Sequence, residues 1–324
     1  MDELLLNSQE QTPISFCNRN FDEAEYIEFP SQGYFYSNKN KKIKIRKLNW
    51  IDESLLATKS YYDNDTIIEE ILKNVIVDSN FIIEEIIPID IKAILIWLKL
   101  SAFGREHSFP FKCRNKTEDG ECGNSLKVIW DLAEFDTPDY PDEYVEELKM
   151  FGHIQISIND NDYFLIVPSI SKIKEVKKFL SSVKENYSNT EKLLSTIKFI
   201  KTNEDDIIEG VENIYEYLLK AKISIQDSRY LLREAESINL KIDTTQYVQC
   251  KNCNFPHTLS LSIDKNFFGL NSIKYKEYLI RSLNFLIFWG KIDCQSIRTM
   301  PTYIRKMMIS LTSENLKTLY GTKK

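Results

Sequence analysis

Two pairs of cysteines constrain this chain more than any other feature of its sequence. Cys250 and Cys253 form a C-x-x-C motif, and Cys113 and Cys122 bound the segment "CRNKTEDGEC". A closed structural zinc site takes four ligands in a tetrahedron, and thiolates are common among them. The C-x-x-C turn can supply two thiolates, and the longer segment can supply two more if it folds back. Because 127 residues separate Cys122 from Cys250, a shared site requires the chain to return to its own middle.

We therefore predict that these four cysteines hold one zinc ion. A site of four thiolates leaves no coordination position open, so the metal would be structural and not catalytic. The alternative is that both pairs are reduced thiols at the bases of two hairpins. Cys17 and Cys294 have no partner in this pattern, and we expect neither to bind metal. His257 could replace one sulfur, but its place beside Pro256 favours an ordinary surface histidine.

Composition narrows the function classes. The 324 residues are 43% hydrophobic and 28% charged, which is typical of a globular protein with one or two domains. The net charge of −6 argues against nucleic-acid binding, which usually needs a basic surface. The chain has three histidines and nine glycines, and the common phosphate-binding and nucleophile motifs do not occur in it. We expect a soluble, cytoplasmic, non-enzymatic protein without a signal peptide or a membrane-spanning segment.

Hydrophobic periodicity predicts a mixed α+β fold. Paired segments with a period of two residues alternate with helical patterns, and short polar turns join the pairs. Such turns favour antiparallel pairing. We predict two similar modules of helices with small antiparallel strand units, followed by a C-terminal helical segment. The boundaries are a flexible arm at 1–25, a first module at 26–150, a second module at 151–268 and C-terminal helices at 269–324.

Local signals predict where helices begin and end. Asn49 and Asp65 are expected to cap two helices of the first module. Gly104 and Gly290 are expected to end helices, Gly104 in the left-handed conformation. Pro301 is expected at the first position of the last helix. In the second module, the pattern between the strand pair and about residue 220 predicts helices only.

The last helix is the segment that we expect to meet a partner. Ile304 and Leu311 lie on one apolar face of this helix, together with the methionines between them. Little chain follows to cover that face, and aromatic residues and methionine are enriched in interface cores. We predict that Tyr303, Met307 and Met308 contact a partner protein.

Several segments together resemble a known family. The segment "FPSQGYFY" followed by "IKIRKLNWIDESLL" is similar to the opening pattern of the baseplate hub and hub-assembly proteins of T-even-type contractile-tailed bacteriophages. In that pattern, a Pro-Ser-x-Gly turn and an aromatic residue precede a strand and an acidic helix start. The chain departs from the pattern in its longer Cys113-to-Cys122 segment and near Asn271. The resemblance spans most of residues 28–310, and its closing block is carried by Phe267, Phe268, Trp289, Gly290, Met300, Pro301 and Arg305.

The resemblance implies a virion-morphogenesis protein that helps to assemble the central hub of a contractile tail baseplate. Such a protein is either a minor hub component or an assembly chaperone. Its partners would be other baseplate hub or tail proteins, which it meets in the host cytoplasm during assembly, and it either remains in the finished virion or leaves it. One alternative function is a zinc-ribbon module that binds nucleic acid or another protein, and the other is a host or phage enzyme with a diverged site. A gel shift at low salt tests for a nucleic-acid module, because such binding is strongly salt-dependent.

Overall fold

The structure is a computed structural model that describes residues 24–321, apart from 119, 138, 185–187 and 221–222. The predicted flexible arm, 1–25, lies outside the described residues except for its last two. The helices are α1 (Trp50–Leu56), α2 (Lys59–Asp63), α3 (Ile67–Val75), α4 (Pro88–Phe103), α5 (Asp142–Phe151), α6 (Ile170–Ser182), α7 (Ser188–Thr196), α8 (Val211–Lys220), α9 (Ile225–Ser237), α10 (Ile273–Phe288), α11 (Cys294–Thr299) and α12 (Thr302–Tyr320), with a 3₁₀ turn at Ile83–Glu85.

The strands form small antiparallel sheets. The strands are β1 (Ala24–Glu28), β2 (Lys42–Arg46), β3 (Glu106–Lys112), β4 (Lys116–Thr117), β5 (Gly120–Glu121), β6 (Ser125–Asp131), β7 (Ile154–Ile158), β8 (Asn161–Leu165), β9 (Ile197–Lys201), β10 (Ile207–Glu209), β11 (Thr245–Gln249) and β12 (Pro256–Ser260). Strand β1 pairs with β2, β3 with β6, β4 with β5 and β11 with β12, and one four-stranded sheet has the order β10-β9-β8-β7. The mixed α+β prediction is therefore confirmed.

The second module contains more strand than the sequence predicts. Strands β9 and β10 lie in the region expected to be helical only, so that prediction is wrong. The physical reason is tertiary: β9 adds to the edge of β8, and the rings of Phe164 and Phe199 stack with their centroids 4.1 Å apart. The β7–β8 hairpin itself is confirmed, and its turn places Asn159 and Asp160 at positive φ, as tight hairpin turns require.

A single hydrophobic core runs through both predicted modules. The core extends from Phe29 to Leu270 and surrounds α4, whose residues are all buried or half-buried. An apolar helix of this kind can only be satisfied in the interior of a domain. The division into two modules near residue 150 stays a prediction.

The helix ends show which local signals were decisive. Asn49 caps α1 through a reciprocal capping box with Asp52, as predicted. Asp65 does not cap α3, because it adopts φ 57° and its carboxylate pairs with Lys265 at 3.0 Å instead. Gly104 ends α4 as predicted, but at φ 92° and ψ 178° it lies outside the left-handed helical region.

Two further predictions concern the C-terminal helices. Gly290 directly follows the last turn of α10, but the residue with positive φ is Lys291. Gly290 is required for a different reason, because a Cβ atom there would lie 2.7 Å from the carbonyl oxygen of Leu286. Pro301 is the N-cap of the last helix, one position earlier than predicted, and α12 begins at Thr302.

A buried ion pair attaches the C-terminal helices to the first helix. The carboxylate of Glu53 on α1 accepts hydrogen bonds from Arg305 and Thr302 of α12 and from Tyr275 of α10. Arg305 also donates to the Ser282 hydroxyl at 3.1 Å. Glu53 and Arg305 are both fully buried, so the pair exchanges solvation for these direct bonds. No helix among the described residues is long and apolar enough to cross a membrane.

Candidate metal centre

Two β-hairpins carry the four predicted cysteines at their ends. Cys113 directly follows β3, and two residues separate Cys122 from the start of β6. Their loop is closed by backbone bonds from the Cys113 N–H to the Asn124 carbonyl at 2.8 Å and from the Gly123 N–H to the Cys113 carbonyl at 3.1 Å. These bonds fold the longer segment back, as the sequence argument requires, and bring both of its sulfurs to one side.

The second hairpin forms a tighter turn. Cys250 directly follows β11, and two residues separate Cys253 from the start of β12. The Cys250 N–H donates to the Phe255 carbonyl at 3.0 Å, and the Asn254 N–H donates back to the Cys250 carbonyl at 2.8 Å. Asn254 takes the positive φ of 56° that this reversal requires. The C-x-x-C segment thereby turns both of its thiols towards the first hairpin.

The structure brings the four cysteines together. Their sulfur atoms all lie within 4.8 Å of one another. Cys113 Sγ is 3.7 Å from Cys253 Sγ, and Cys122 Sγ is 3.8 Å from Cys250 Sγ. Two thiolates bound at about 2.3 Å to one tetrahedral zinc ion lie about 3.8 Å apart. The spacing therefore fits a single closed Cys₄ centre and is too long for disulfide bonds.

Each of the four sulfurs also contacts a polar group of a neighbouring side chain, and three of these contacts are hydrogen bonds from asparagine amides. The Asn115 amide lies 3.7 Å from Cys253 Sγ, the Asn124 amide 3.5 Å from Cys250 Sγ, and the Asn252 amide 3.3 Å from Cys122 Sγ. These asparagines were not among the predicted site residues. The signal was present, because each of the three follows a cysteine by two residues in a C-x-N segment. Such outer contacts orient metal ligands.

His257 supplies the fourth of these contacts. Its Nε2 lies 3.1 Å from Cys113 Sγ, and its ring packs against Phe111 with the centroids 4.9 Å apart. The expectation of an ordinary surface histidine is therefore wrong. Its position on β12 places it opposite the end of β3, where it contacts a sulfur without replacing one.

The hydrogen bonds and burial act in opposite directions on the thiols. The backbone N–H of Cys253, followed by the Asn124 amide, lowers the pKa of Cys250 to about 6. The Asn252 amide lowers the pKa of Cys122, whereas burial raises the pKa of Cys113 to about 12. A bound divalent cation favours the thiolate at every ligand, because metal binding releases the thiol protons. The arrangement is suited to holding a metal ion and leaves no ligand position for a substrate.

Among the described residues, the remaining cysteine lies away from this centre. Cys294 is exposed at the start of α11 and does not belong to the cluster. Cys17 lies outside the described residues. A metal at the four-cysteine cluster would join β-hairpins that are far apart in the chain. The Trp130 indole N–H adds a further link between them by donating to the Thr244 carbonyl at 3.0 Å.

The predicted partner-binding residues take two different positions. Met307 is 53% exposed and Tyr303 is 38% exposed. Met308 instead packs against the small buried cluster of Leu286, Ile292 and Ile297. The predicted apolar face of α12 is therefore divided between solvent and the neighbouring helix α10.

Comparison with known proteins places the chain in a family. A family model described as T4 bacteriophage base plate protein matches residues 33–269, which is more than half of the chain. The matched range contains both cysteine hairpins, and the resemblance noted for residues 270–310 lies beyond it. Neither the curated proteins nor the solved structures compared with the chain include a match. The resemblance to phage baseplate proteins is thus confirmed over the core and the cysteine hairpins, and the chain belongs to the T4 bacteriophage base plate protein family.

Proposed function

We propose that this chain is a non-enzymatic morphogenesis protein of the baseplate hub in a contractile phage tail. It would act in the host cytoplasm, either as a minor hub component or as a chaperone of hub assembly. The observation that carries the proposal is the family match over residues 33–269. Membership implies interactions with other tail proteins, and the hub role rests on the more specific resemblance of the opening and closing segments.

We further propose that the four-cysteine cluster binds one structural zinc ion. Sulfur spacings of 3.7 and 3.8 Å between paired cysteines support this proposal, because they equal the ligand spacing of a tetrahedral thiolate site. A polar side-chain contact at each sulfur, three of them from asparagine amides, supports it as well. In this role the metal joins the two hairpins and performs no chemistry.

The C-terminal helices are the proposed contact with a partner. The fully buried part of the cluster beneath α10 and α12 consists of three residues within the described part of the chain. The outer faces of both helices and the turn between them expose large apolar side chains, which are Ile280, Phe288, Trp289, Met307, Leu311, Leu319 and Tyr320. The Trp289 ring is in contact with the rings of Phe288 and Tyr320, and apolar side chains exposed together in this way mark candidate interaction sites.

The proposal is tested in the phage that encodes the protein. A stop codon early in the reading frame should yield particles without functional baseplates, as seen by electron microscopy, and plasmid-borne wild-type protein should restore them. Met307→Asp should remain folded and fail to restore them. Met150→Asp on α5, where the methionine is 63% exposed, is the matched control and should restore them fully.

The outcomes separate the alternatives. Normal baseplates without the protein would contradict a role in their assembly. Full rescue by Met307→Asp would place the partner contact elsewhere. Met308→Asp should unfold the C-terminal helices, because it places a charge against an apolar cluster at a cost of about 2 kcal/mol or more. Mass spectrometry of purified particles distinguishes a retained hub component from a chaperone that leaves.

A further inference from the structure

A cavity of about 680 Å³ lies between the two cysteine hairpins, away from their cysteine ends. Residues 106–109 of the first cysteine hairpin and residues 259–262 of the second line its sides, and residues 266–269 close one end. The two hairpins are in contact near their cysteine ends, where Phe111 meets His257. Farther from the cysteines they leave the cavity between them. A volume of this size holds one large side chain together with its neighbouring groups.

The walls of the cavity are mainly aromatic. Phe103 of α4, Trp130 of β6 and the neighbouring pair Phe267 and Phe268 contribute rings to it. Phe109 lies on β3 and also faces the cavity, but half of its surface is exposed. An aromatic side chain left half-exposed in an apolar recess gains free energy when another apolar group covers it.

The cavity also contains a buried cation for which the described residues provide no anion. Lys99 of α4 lines the cavity and is 6% exposed. Its ammonium group lies over the Phe267 ring, 4.3 Å from the centroid, and donates to the Phe267 carbonyl. An ammonium group has three donors, and none of the ion pairs among the described residues includes Lys99. A buried charge without a partner of opposite sign is costly, so the site favours an incoming carboxylate.

The other titratable groups around the cavity limit what can enter. His107 packs against Phe267, and burial together with the nearby Lys99 lowers its pKa to about 4, so it is neutral at physiological pH. The Asp264 carboxylate is engaged in its own turn by Ser262 and Asn266. Glu106 is exposed at the rim. It would repel a run of acidic residues while leaving room for a single carboxylate at Lys99.

Two strands beside the cavity can accept a further strand. Among the described residues β3 pairs with β6 alone, and β12 pairs with β11 alone. Each strand therefore has one edge with no partner strand. Extended segments of other proteins bind such edges through main-chain hydrogen bonds, while pockets for alternate side chains provide specificity.

We propose that this cavity is a docking site for an extended segment of another tail protein, in which a large apolar side chain stands next to a single carboxylate. The apolar side chain packs against Phe109 and Trp130, and the carboxylate pairs with Lys99. That the partner is a tail protein rests on the proposed function, whereas the chemistry of the segment rests on the cavity alone.

Short blocked peptides test the chemistry with the full chain. Acetyl-Phe-Glu-amide carries a side-chain carboxylate that can pair with Lys99, whereas acetyl-Phe-Gln-amide carries a neutral amide at the same position. Titration calorimetry or ligand-observed NMR should show the glutamate peptide binding about tenfold more tightly, a factor that corresponds to about 1.4 kcal/mol. Lys99→Met should abolish this preference. Phe109→Ser should weaken both peptides to the same extent.

Two further variants serve as controls. Lys306→Met removes another half-buried lysine, which lies over the Phe103 ring and donates to the Ala102 carbonyl at 3.3 Å but does not line the cavity. It should leave peptide binding unchanged. Because Lys99→Met changes a core position, its thermal unfolding is measured first. If it does not fold, the charge preference of the wild type and the loss in Phe109→Ser still decide the proposal.

Several results would overturn the proposal. Equal binding of the two peptides would remove the role of Lys99, and unchanged binding by Phe109→Ser would place the peptide elsewhere. Asp2→Asn with Glu3→Gln, in the acidic and apolar start "MDELLL" of the full chain, tests a competing occupant. Stronger peptide binding by that variant would show that the chain's own start fills the cavity. Since these measurements use purified protein, their failure is distinct from failure of the baseplate experiment.

Discussion

Asp90 illustrates at the scale of one residue how a buried carboxylate organises this fold. It lies on α4 and accepts hydrogen bonds from the Ser31 N–H at 3.0 Å, from the Ser31 hydroxyl and from the Tyr36 hydroxyl. These bonds hold the "PSQGYFY" turn against the central helix. Burial nevertheless outweighs them and raises the pKa of Asp90 from 3.8 to about 6.

The raised pKa predicts a specific dependence of stability on pH. The folded state binds the Asp90 proton more tightly than the unfolded state does, so the stabilisation is fully present below pH 3.8. It is lost as the pH rises through about 6. The difference between the two pKa values corresponds to about 3 kcal/mol. Relative to Asp90→Asn, which cannot ionise, the wild type should therefore gain up to about 3 kcal/mol when the pH falls from 7 to 4.

Urea unfolding of both proteins at several pH values measures this difference directly, because titrations elsewhere in the chain cancel in the comparison. A constant difference across the range would show that the Asp90 pKa is not raised in the folded state. Asp162→Asn, at a residue half-exposed on β8, is the matched control.

Two kinds of contact at the cysteines were not predicted, those of the nearby asparagines and that of His257. The C-x-N segments could have been recognised, because the asparagines stand at a fixed spacing from the cysteines. For His257, the local sequence was compatible with two interpretations, a metal ligand in place of one sulfur or an ordinary surface histidine. Nothing in the segment around it shows that β12 returns to the end of β3 and brings its ring to Cys113.

At the scale of elements, the C-terminal helices depend on one buried ion pair. Glu53 accepts from Arg305, Thr302 and Tyr275, so α1, α10 and α12 meet at a single carboxylate. The small apolar cluster under α10 and α12 contributes far less buried surface than the central core. The hydrogen bonds at Glu53 therefore contribute to the placement of these helices, together with bonds from the Thr302 N–H to the Leu48 carbonyl at 2.7 Å and from the Trp50 indole N–H to the Leu279 carbonyl at 3.2 Å.

Removing one partner of this ion pair should lower the free energy of unfolding strongly, whereas replacing both partners by apolar residues should lower it little. Glu53→Met leaves a buried guanidinium without a partner, and it should destabilise the protein by about 3–5 kcal/mol. Adding Arg305→Met removes that charge too and should recover most of the loss. Lys220→Ala, which breaks the exposed pair with Glu216, is the control and should cause no measurable change. Chemical unfolding checks all the variants, and equal stability of Glu53→Met and wild type would contradict the prediction.

Elements were predicted well where the local pattern was long and poorly where it was short. The β7–β8 hairpin has an alternating pattern with clear turn residues, and α4 is a long, continuously apolar segment that ends at Gly104. Strand β9 has five residues and directly follows α7. A pattern of that length is compatible with the end of a helix, and the segment becomes a strand because β8 offers it an edge.

At the scale of the whole molecule, contacts between residues far apart in the sequence were predictable only for a residue type that occurs rarely in the chain. Four cysteines in two matched contexts are few enough to suggest a shared site. Glu53 and Arg305 are 252 residues apart and stand among 48 acidic and 42 basic residues. No local signal separates this pair from the others, so only the folded structure reveals it.

The proposed metal makes overall stability depend on these few thiols. Purified protein should contain about one zinc ion per chain. Cys253→Ser should lose the metal and destabilise the protein by about 4 kcal/mol, as expected when a structural metal site is lost. Cys294→Ser, at an exposed thiol away from the cluster, should keep both the metal and the stability. Elemental analysis and thermal unfolding measure the two effects, and zinc retained at wild-type stability in Cys253→Ser would contradict the site.

The distance between the two cysteine pairs also has a consequence in time. Chains are synthesised from the N-terminus at about 5–20 residues per second, so about 6 to 26 seconds pass between the addition of Cys122 and that of Cys253. Throughout this interval the nascent chain offers only half of the ligands of the proposed zinc site. The proposed zinc ion can bind all four thiolates only after the second hairpin has left the ribosome. In the proposed site, a chain that terminates before Cys253 lacks part of the ligand set, so zinc binding would distinguish such chains from those that contain both hairpins.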